Sequence, residues 1–422
     1  MAKNLKHPIN DNEFQLYDNN DSQRILKIEV PVNLPNSGVP QTRKFVLREN
    51  IPDFTNLGGT MTSSFTAGWG LSYKIDATAG NIIVTIPAAA TANGDYFIQL
   101  HRVDTSVNIV TVFCEISQYF YELLGSTNGN AFTMKTGGTV NIRSIGTVPV
   151  VTNYQGIATV SRLWVPTDAV AGDPVVWHDI LDTANLTLSG AAIVTIANKG
   201  SLGSGFNITQ GTAGSRPTLV GTSGVKGAYA SFDGGDQLVT SAVQNFLATS
   251  TSATMAGLYR MPTQSSSTQF GQDNGTSRFQ FHPKWSDGVT YVDMANPGTA
   301  RVSGNLGTVA GGSAVEHTIV AIRGGTQEDA YFDGNPTTAL TRSNATGSAS
   351  GTGLFKWSGD AGGNLLPNNS RNYESIFYAV ALSTADRDRL AGYLAWKHGQ
   401  QAILNASNPY ISAPPLVSLA SY

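Results

Sequence analysis

The side chains best suited to hold a ligand fall in two short stretches. In HPKWSDGVTY, Trp285, Asp287 and Tyr291 offer an indole, a carboxylate and a phenol close together, with Asn274 and Arg278 just upstream. Trp357 in FKWSGD, followed by Asn364, makes a second set. Aromatic faces stack on sugar rings, while amides, carboxylates and guanidinium groups bond hydroxyls, so this mixture suits a glycan. Each tryptophan could equally plug the core of a sheet, and the residues alone do not separate the two roles.

Other chemistries lack their residues. The six histidines (His7, His101, His178, His282, His317 and His398) are scattered without metal-ligand spacing and read as strand-end or surface residues. Neither a Gly-x-Ser-x-Gly elbow nor a phosphate-binding glycine loop is present. Cys114 is the single cysteine, so no intrachain disulfide or thiolate cluster can form, and its neighbours Val112, Phe113 and Ile116 suggest a buried thiol. Asp233 and Asp236 flank Gly234-Gly235, where Asp suits a turn because its side chain caps nearby N–H groups.

Composition narrows the partners. Charged residues are only 13% of the 422, about half the usual share, and the net charge is −3. Without clustered Lys/Arg, nucleic acid is excluded as a partner. The N-terminal MAKNLKHPINDNEF has no apolar signal core, and no run is long enough to span a bilayer. Synthesis in the cytoplasm without membrane insertion is expected, with release by lysis rather than export.

These residues must be carried by sheets. Residues 1–60 read as an arm, with extended segments Arg24–Val32 and Lys44–Asn50 around the turn region NLPNSGVPQT. Residues 61–165 read as a small β-module, in which Ile82, Val84 and Ile86 alternate, Asn93-Gly94 signals a hairpin, and Tyr96–Val103 and Asn108–Val112 follow as strands. YFYELL, Tyr119 to Leu124, is ambiguous between strand and helix. RLWVPTDAVAGDPVVW, Arg162 to Trp177, reads as a linker. Residues 166–408 give short strands between Gly/Ser/Asn clusters, among them Ala192–Ile196, Phe206–Ile208, Tyr229–Phe232, Arg278–His282 and Asp329–Phe332. That spacing favours a two-sheet sandwich of jelly-roll type. In AYASFDGGD, Ala228, Ala230 and Phe232 share one face of a strand, with Tyr229 and Ser231 on the other. Ser383 and Asp386 then cap a helix from about Thr384 to His398 that Gly399 ends, with Leu390, Tyr393 and Leu394 on its inner face. Residues 409–422 form a proline-rich tail. The whole is all-β: an extended arm, a small β-module, and a sandwich closed by one α-helix.

Two resemblances follow from these motifs. Ile86-Pro87-Ala88, Asn93-Gly94, Arg102-Val103-Asp104 and Asn108 occur in the order seen in a β-module of bacteriophage tail fibres and appendages, a likeness covering roughly 80 residues. WHDILDTANLTLSG with its Arg-Pro and Phe-Asp-Gly sequels, DAYFDGN, and the closing YESIFYAVALSTADRDRLAGYLAWKHG resemble the laminin-G-like, concanavalin A-like lectin/glucanase domain. The resemblance implies a virion surface appendage, attached to other virion proteins through the arm, assembled as a homotrimer, and binding host-surface polysaccharide or another receptor. No coiled-coil heptad accompanies the trimer. A head fibre, decoration or neck protein without glycan binding is the alternative, and a glycan depolymerase a second one. Related domains hold calcium near the sandwich rim, which makes Asp233 and Asp236 candidate ligands; no other cofactor is implied. Related hydrolases carry a Glu-x-Asp-x-Glu run, which is missing: Glu328-Asp329 would face opposite sides of a strand and Glu374 stands alone. A binding protein rather than an enzyme is expected.

Overall fold

The computed structural model describes the strand backbones at 8–9, 12–13, 16–17, 25–32 and 41–48, and residues 60–421 except 88–96, 115–129, 146–147, 152–155, 248–249, 275–277, 296–300 and 348–350. Asn93-Gly94 and Tyr119–Leu124 lie outside the described residues. The protein is mostly β, with one α-helix among the described residues, and it divides into two compact units: Met1–Val160 with Ala420–Tyr422, and Ser161–Leu419.

In the first unit the two extended segments of the arm pair as expected. Ile25–Val32 and Gln41–Arg48 form an antiparallel ladder from Ile25 opposite Arg48 to Val32 opposite Gln41. The next strands depart from the hairpin that Asn93-Gly94 suggested. Ile82–Ile86 runs parallel to Val110–Cys114, and Leu71–Ile75 parallel to Phe97–Arg102, in a different sheet. Successive strands thus alternate between two mixed sheets, so Ile82–Ile86 and Phe97–Arg102 are never partners. The alternation pays off in burial: Ile82, Val84, Ile86, Ile98, Leu100, Val110 and Val112 are all inside, and Cys114 is buried as expected.

One turn of this unit is held by charge. Arg102 is buried, and its guanidinium donates to both oxygens of Asp104 (2.9 and 3.1 Å) and to the carbonyls of Met134, Ser106 and Asn108. Asn108 Nδ2 donates in turn to the carbonyls of Ala77 and Thr78. A guanidinium has five donors in a fixed fork, so only a fully provided corner can bury one, which explains the Arg-x-Asp and the Asn that follows it.

In the second unit the strands from Val176–Asp179 to Ser370–Tyr378 form one antiparallel sheet that curves back on itself. One layer runs through Arg301–Gly304, Thr290–Ala295, Arg278–His282, Phe270–Asp273, Gly351–Trp357 and Leu238–Thr240. The other runs through Leu340–Arg342, Gln327–Phe332, His317–Gly324, Ser252–Arg260 and Ser370–Tyr378. Aromatic residues meet between the layers, with Phe355 to Phe377 at 5.1 Å, Phe270 to Phe377 at 5.8 Å and Phe281 to Phe332 at 6.1 Å between ring centres. Truncating one such ring would cost about 3–5 kcal/mol. Tyr229–Phe232 pairs with Thr218–Val220 and Ser370–Tyr378, and buries Ala230 and Phe232 while leaving Tyr229 and Ser231 half-exposed.

Two expectations need correcting. Arg162 to Trp177 is a packed segment rather than a linker: Trp164 is buried, Arg162 pairs with Asp168, and the Tyr378 hydroxyl donates to the Pro166 carbonyl at 2.9 Å. Phe206 ends a short 3-10 turn, Gly203–Phe206, with its ring in the core, and the strand begins only at Ile208. The helix stands where its capping residues put it, at Thr384–Lys397, with the Ser383 side chain accepting from the Asp386 N–H and Gly399 in the left-handed region at φ 76°.

Candidate functional site

The hairpin of Arg278–His282 and Thr290–Ala295 has two unlike faces. Phe279, Phe281, Val292 and Met294 enter the core, so strand alternation turns Gln280, His282, Tyr291 and Asp293 to the other side. That other side is polar yet covered. Asp293 is buried, and Arg301 on the next strand grips it with Nε at 2.5 Å and Nη2 at 2.7 Å. Gln280 Nε2 donates to it at 3.4 Å, and His282 Nε2 lies 3.6 Å away. Burial pushes the Asp293 carboxyl up, but Arg301 and His282 outweigh it and hold it below the usual carboxylate range. A covered, mutually bonded polar cluster results, with the half-buried Arg301 at its edge.

The loop at the end of this hairpin carries the sugar-like set. The Gly288 N–H donates to the Trp285 carbonyl and the Trp285 N–H to the Val289 carbonyl, closing a turn that has Gly288 at φ 85°. Trp285 is half-buried, with its ring edge-on to His282 at 4.7 Å. Asp287 is exposed; its carboxylate accepts from the Tyr291 hydroxyl at 2.6 Å and the Val289 N–H at 2.9 Å, and both bonds lower its pKa. The Arg301 guanidinium lies 4.6 Å over the Tyr291 ring. Trp285, Asp287 and Tyr291 are thus brought together and each is held by its neighbours.

Asn274 and Arg278 are not part of that group. They stand at the opposite end of the strand, separated from the loop by the length of Arg278–His282, about 13 Å at 3.3 Å per residue. There Arg278 Nε faces Asp273 at 3.4 Å and Asn274 is exposed. Trp357 leaves the candidate set altogether. It is 0% exposed, packs in the central core and donates its Nε1–H to the Ser375 hydroxyl at 2.8 Å, so it cannot present a face to a sugar. Asn364 donates to both oxygens of Asp360 at 2.8 and 2.9 Å.

The carboxylates divide similarly. Asp233 Oδ1 accepts from the Gly235 N–H at 2.8 Å, and Asp236 Oδ2 from the Asp233 N–H at 3.0 Å, so both serve the turn; a cation there would compete with these bonds. Burial and the neighbouring Asp233 charge push Asp236 up to about 6. Glu328 and Asp329 face opposite sides as expected, with Glu328 buried and Asp329 bonded to the Thr341 hydroxyl at 2.6 Å. Glu374 does not stand alone.

Among the described residues, Asp179, Glu374 and His398 are the His/Asp/Glu group close enough to hold a metal ion, within 4.8 Å of one another. Lysines of the chain already fill that position. Lys397 Nζ lies 2.7 Å from Asp179 and 2.8 Å from Glu374, Lys199 Nζ 3.0 Å from Asp179, and His398 Nε2 2.7 Å from Glu374. Trp177 Nε1–H and the Tyr393 hydroxyl donate to the remaining Glu374 oxygen. Burial raises Asp179, yet Lys397, Lys199 and His398 together hold it far below the usual range. The cluster fastens the C-terminal helix to the sheet.

Reading from the sequence missed His282, Asp293 and Arg301. Their signal is a strand whose outward positions, Arg278, Gln280 and His282, are all polar while the inward ones are phenylalanines, which marks a face built to meet something other than core.

No family model matches the chain, and no curated protein matches it. Among solved structures, it is similar to domain 4 of an extracellular arabinanase from Geobacillus stearothermophilus in complex with arabinotriose, at 14% identity over 52% of this chain and 98% of that one, with a TM-score of 0.35. An α-L-arabinofuranosidase soaked with a cyclic sulfate inhibitor matches at 11% identity over 57% of this chain and 62% of that one, TM-score 0.35. The binding domain of botulinum neurotoxin serotype G matches at 7% identity over 52% of this chain and 50% of that one, TM-score 0.35. At these identities and TM-scores the likenesses are distant.

Proposed function

We propose that this chain is a bacteriophage virion surface protein, a tail fibre or related appendage, whose second unit binds host-surface glycan through the Trp285 loop and the polar face beside it. The observation that carries the reading is the grouping of a half-buried indole, a phenol and an exposed, pre-aligned carboxylate beside the Arg301–Asp293 pair. Aromatic faces with fixed polar groups bind sugars at little ordering cost. Binding rather than glycosidic cleavage fits this face, because its buried carboxylate, Asp293, is taken up by Arg301 and so is unsuited to act as an acid or nucleophile. The arm at the N-terminus is assigned to attachment on other virion proteins, and the assembled form to a homotrimer, on the likeness to phage fibre modules. The test is a panel of host-surface polysaccharides presented to the full-length protein and to Trp285→Ala and Tyr291→Ala variants. Saturable binding lost in both variants supports the reading, and binding to none of the panel favours a purely structural head or neck protein.

A further inference from the structure

We propose that Ser313, His317 and Asp333 form a serine-hydrolase triad that removes small acyl groups from esterified hydroxyls. Strand formation and one turn assemble it. Phe332-Asp333-Gly334-Asn335 closes with Asp333 at φ 52°, Gly334 at φ 63° and the Asn335 N–H bonded to the Phe332 carbonyl, a turn that needs two left-handed residues and accepts Asp and Gly. The turn aims the Asp333 carboxylate at the neighbouring strand, where Oδ1 accepts the Thr318 N–H at 3.0 Å and Oδ2 accepts from His317 Nδ1 at 2.9 Å. With Nδ1 donating to a carboxylate, the lone pair of His317 rests on Nε2. That nitrogen faces the Ser313 hydroxyl at 3.4 Å.

The order is nucleophile, base and orienting carboxylate, the roles that define such a triad on any fold. Hydroxyl-to-imidazole distances at the long end of hydrogen bonding are usual before substrate binds. His317 is buried and braced by the Tyr259 ring at 6.2 Å, while Ser313 is partly exposed on a loop after Gly311-Gly312, so base and nucleophile are fixed and reachable in the right order. Ser313 and Ala314 follow Gly312, which sits at φ 75°, and their N–H groups donate to no acceptor among the described residues. Two such donors beside the nucleophile can receive a developing oxyanion. Val309 and Val315, 47% and 52% exposed, give the loop apolar surface for a short acyl chain.

The reaction balances without a metal or a redox partner. Ser313 Oγ bonds to the ester carbon as its proton passes to His317 Nε2; the carbon–alkoxide bond then breaks and the alcohol leaves with that proton. Water repeats the sequence, releasing the acid and restoring the serine. The alcohol half of the substrate rests on the glycan reading above: Gly311 and Gly312 lie against Pro283 and Lys284, where a methyl on Gly312 would come within 2.9 Å of Lys284 Cδ, so the Trp285 loop adjoins the triad. An O-acylated sugar is the substrate class.

The test uses the full-length protein with an alkyl fluorophosphonate probe and an aryl acetate. A phosphonyl adduct mapped to Ser313, and aryl acetate hydrolysis that falls at least about a hundredfold in Ser313→Ala, are expected. Asp333→Asn keeps a residue that accepts the left-handed backbone, and should lower kcat with KM for the aryl acetate and the melting temperature little changed, a split that a purely structural role would not give. No adduct on Ser313, or hydrolysis by Ser313→Ala at the parental rate, overturns the proposal. The adduct and the aryl acetate rate are read without any polysaccharide present, so failure of the triad and failure of glycan binding are told apart.

Discussion

Glu328 is buried with neither carboxyl oxygen hydrogen-bonded, opposite Arg323, whose guanidinium donates to the carbonyls of Met294, Thr346 and Gly347 instead. Burial pushes its pKa up to about 8, with Arg323 opposing only in part. The folded carboxyl therefore keeps its proton well above the 4.5 of an unperturbed glutamate, so stability is fully present below that value and falls as pH rises through the window to about 8. Glu328→Gln removes the ionisation. Its melting temperature should exceed the parent's by a margin that grows from pH 4.5 to 8, corresponding to on the order of 3 kcal/mol at pH 7. A margin that does not change with pH would contradict the assigned protonation. At the same scale, sequence alone could place Asp287 in a loop and Tyr291 on the strand beside it but could not choose between core and surface for a tryptophan. Of the six, Trp285 is half-buried and Trp357 is in the core, where long-range partners such as His178 and Ser375 enclose it.

Among elements, the closing helix was the most legible, because Ser383, Asp386 and Gly399 state its limits locally. What it fastens to was not legible. Glu374 and Asp179 are distant in sequence and meet Lys397 only when Ser370–Tyr378 pairs with Val176–Asp179, placing Glu374 opposite Asp179. Removing the shared cation would leave two buried carboxylates short of charge. Lys397→Met should cost about 3–5 kcal/mol, read as a lower urea midpoint at unchanged slope. A loss under about 1 kcal/mol would mean that Lys199 and His398 suffice alone. The parallel pairing of the first unit was hidden for a related reason. Alternating Ile82, Val84 and Ile86 signals a strand but not its partner, and the Asn-Gly signal argued for the neighbour in sequence when the partner in space is Val110–Cys114.

At the scale of the whole molecule, the all-β character and the closing helix could be read from turn spacing and capping residues, and the curved antiparallel sheet agrees. The polar cluster of His282, Asp293 and Arg301 could not, since these residues converge only through strand register. The proposed appendage also has a form to test: light scattering of the full-length protein should give the mass of three chains, and a concentration-independent mass of one chain would contradict the trimer. Most direct for the central claim is a binding titration of the full-length protein against the surface polysaccharide of the host, with Trp285→Ala and Tyr291→Ala in parallel. Saturable binding by the parent that weakens at least tenfold in each variant, without loss of melting temperature, is the predicted result. Absence of binding, or affinity indifferent to both substitutions, would contradict it.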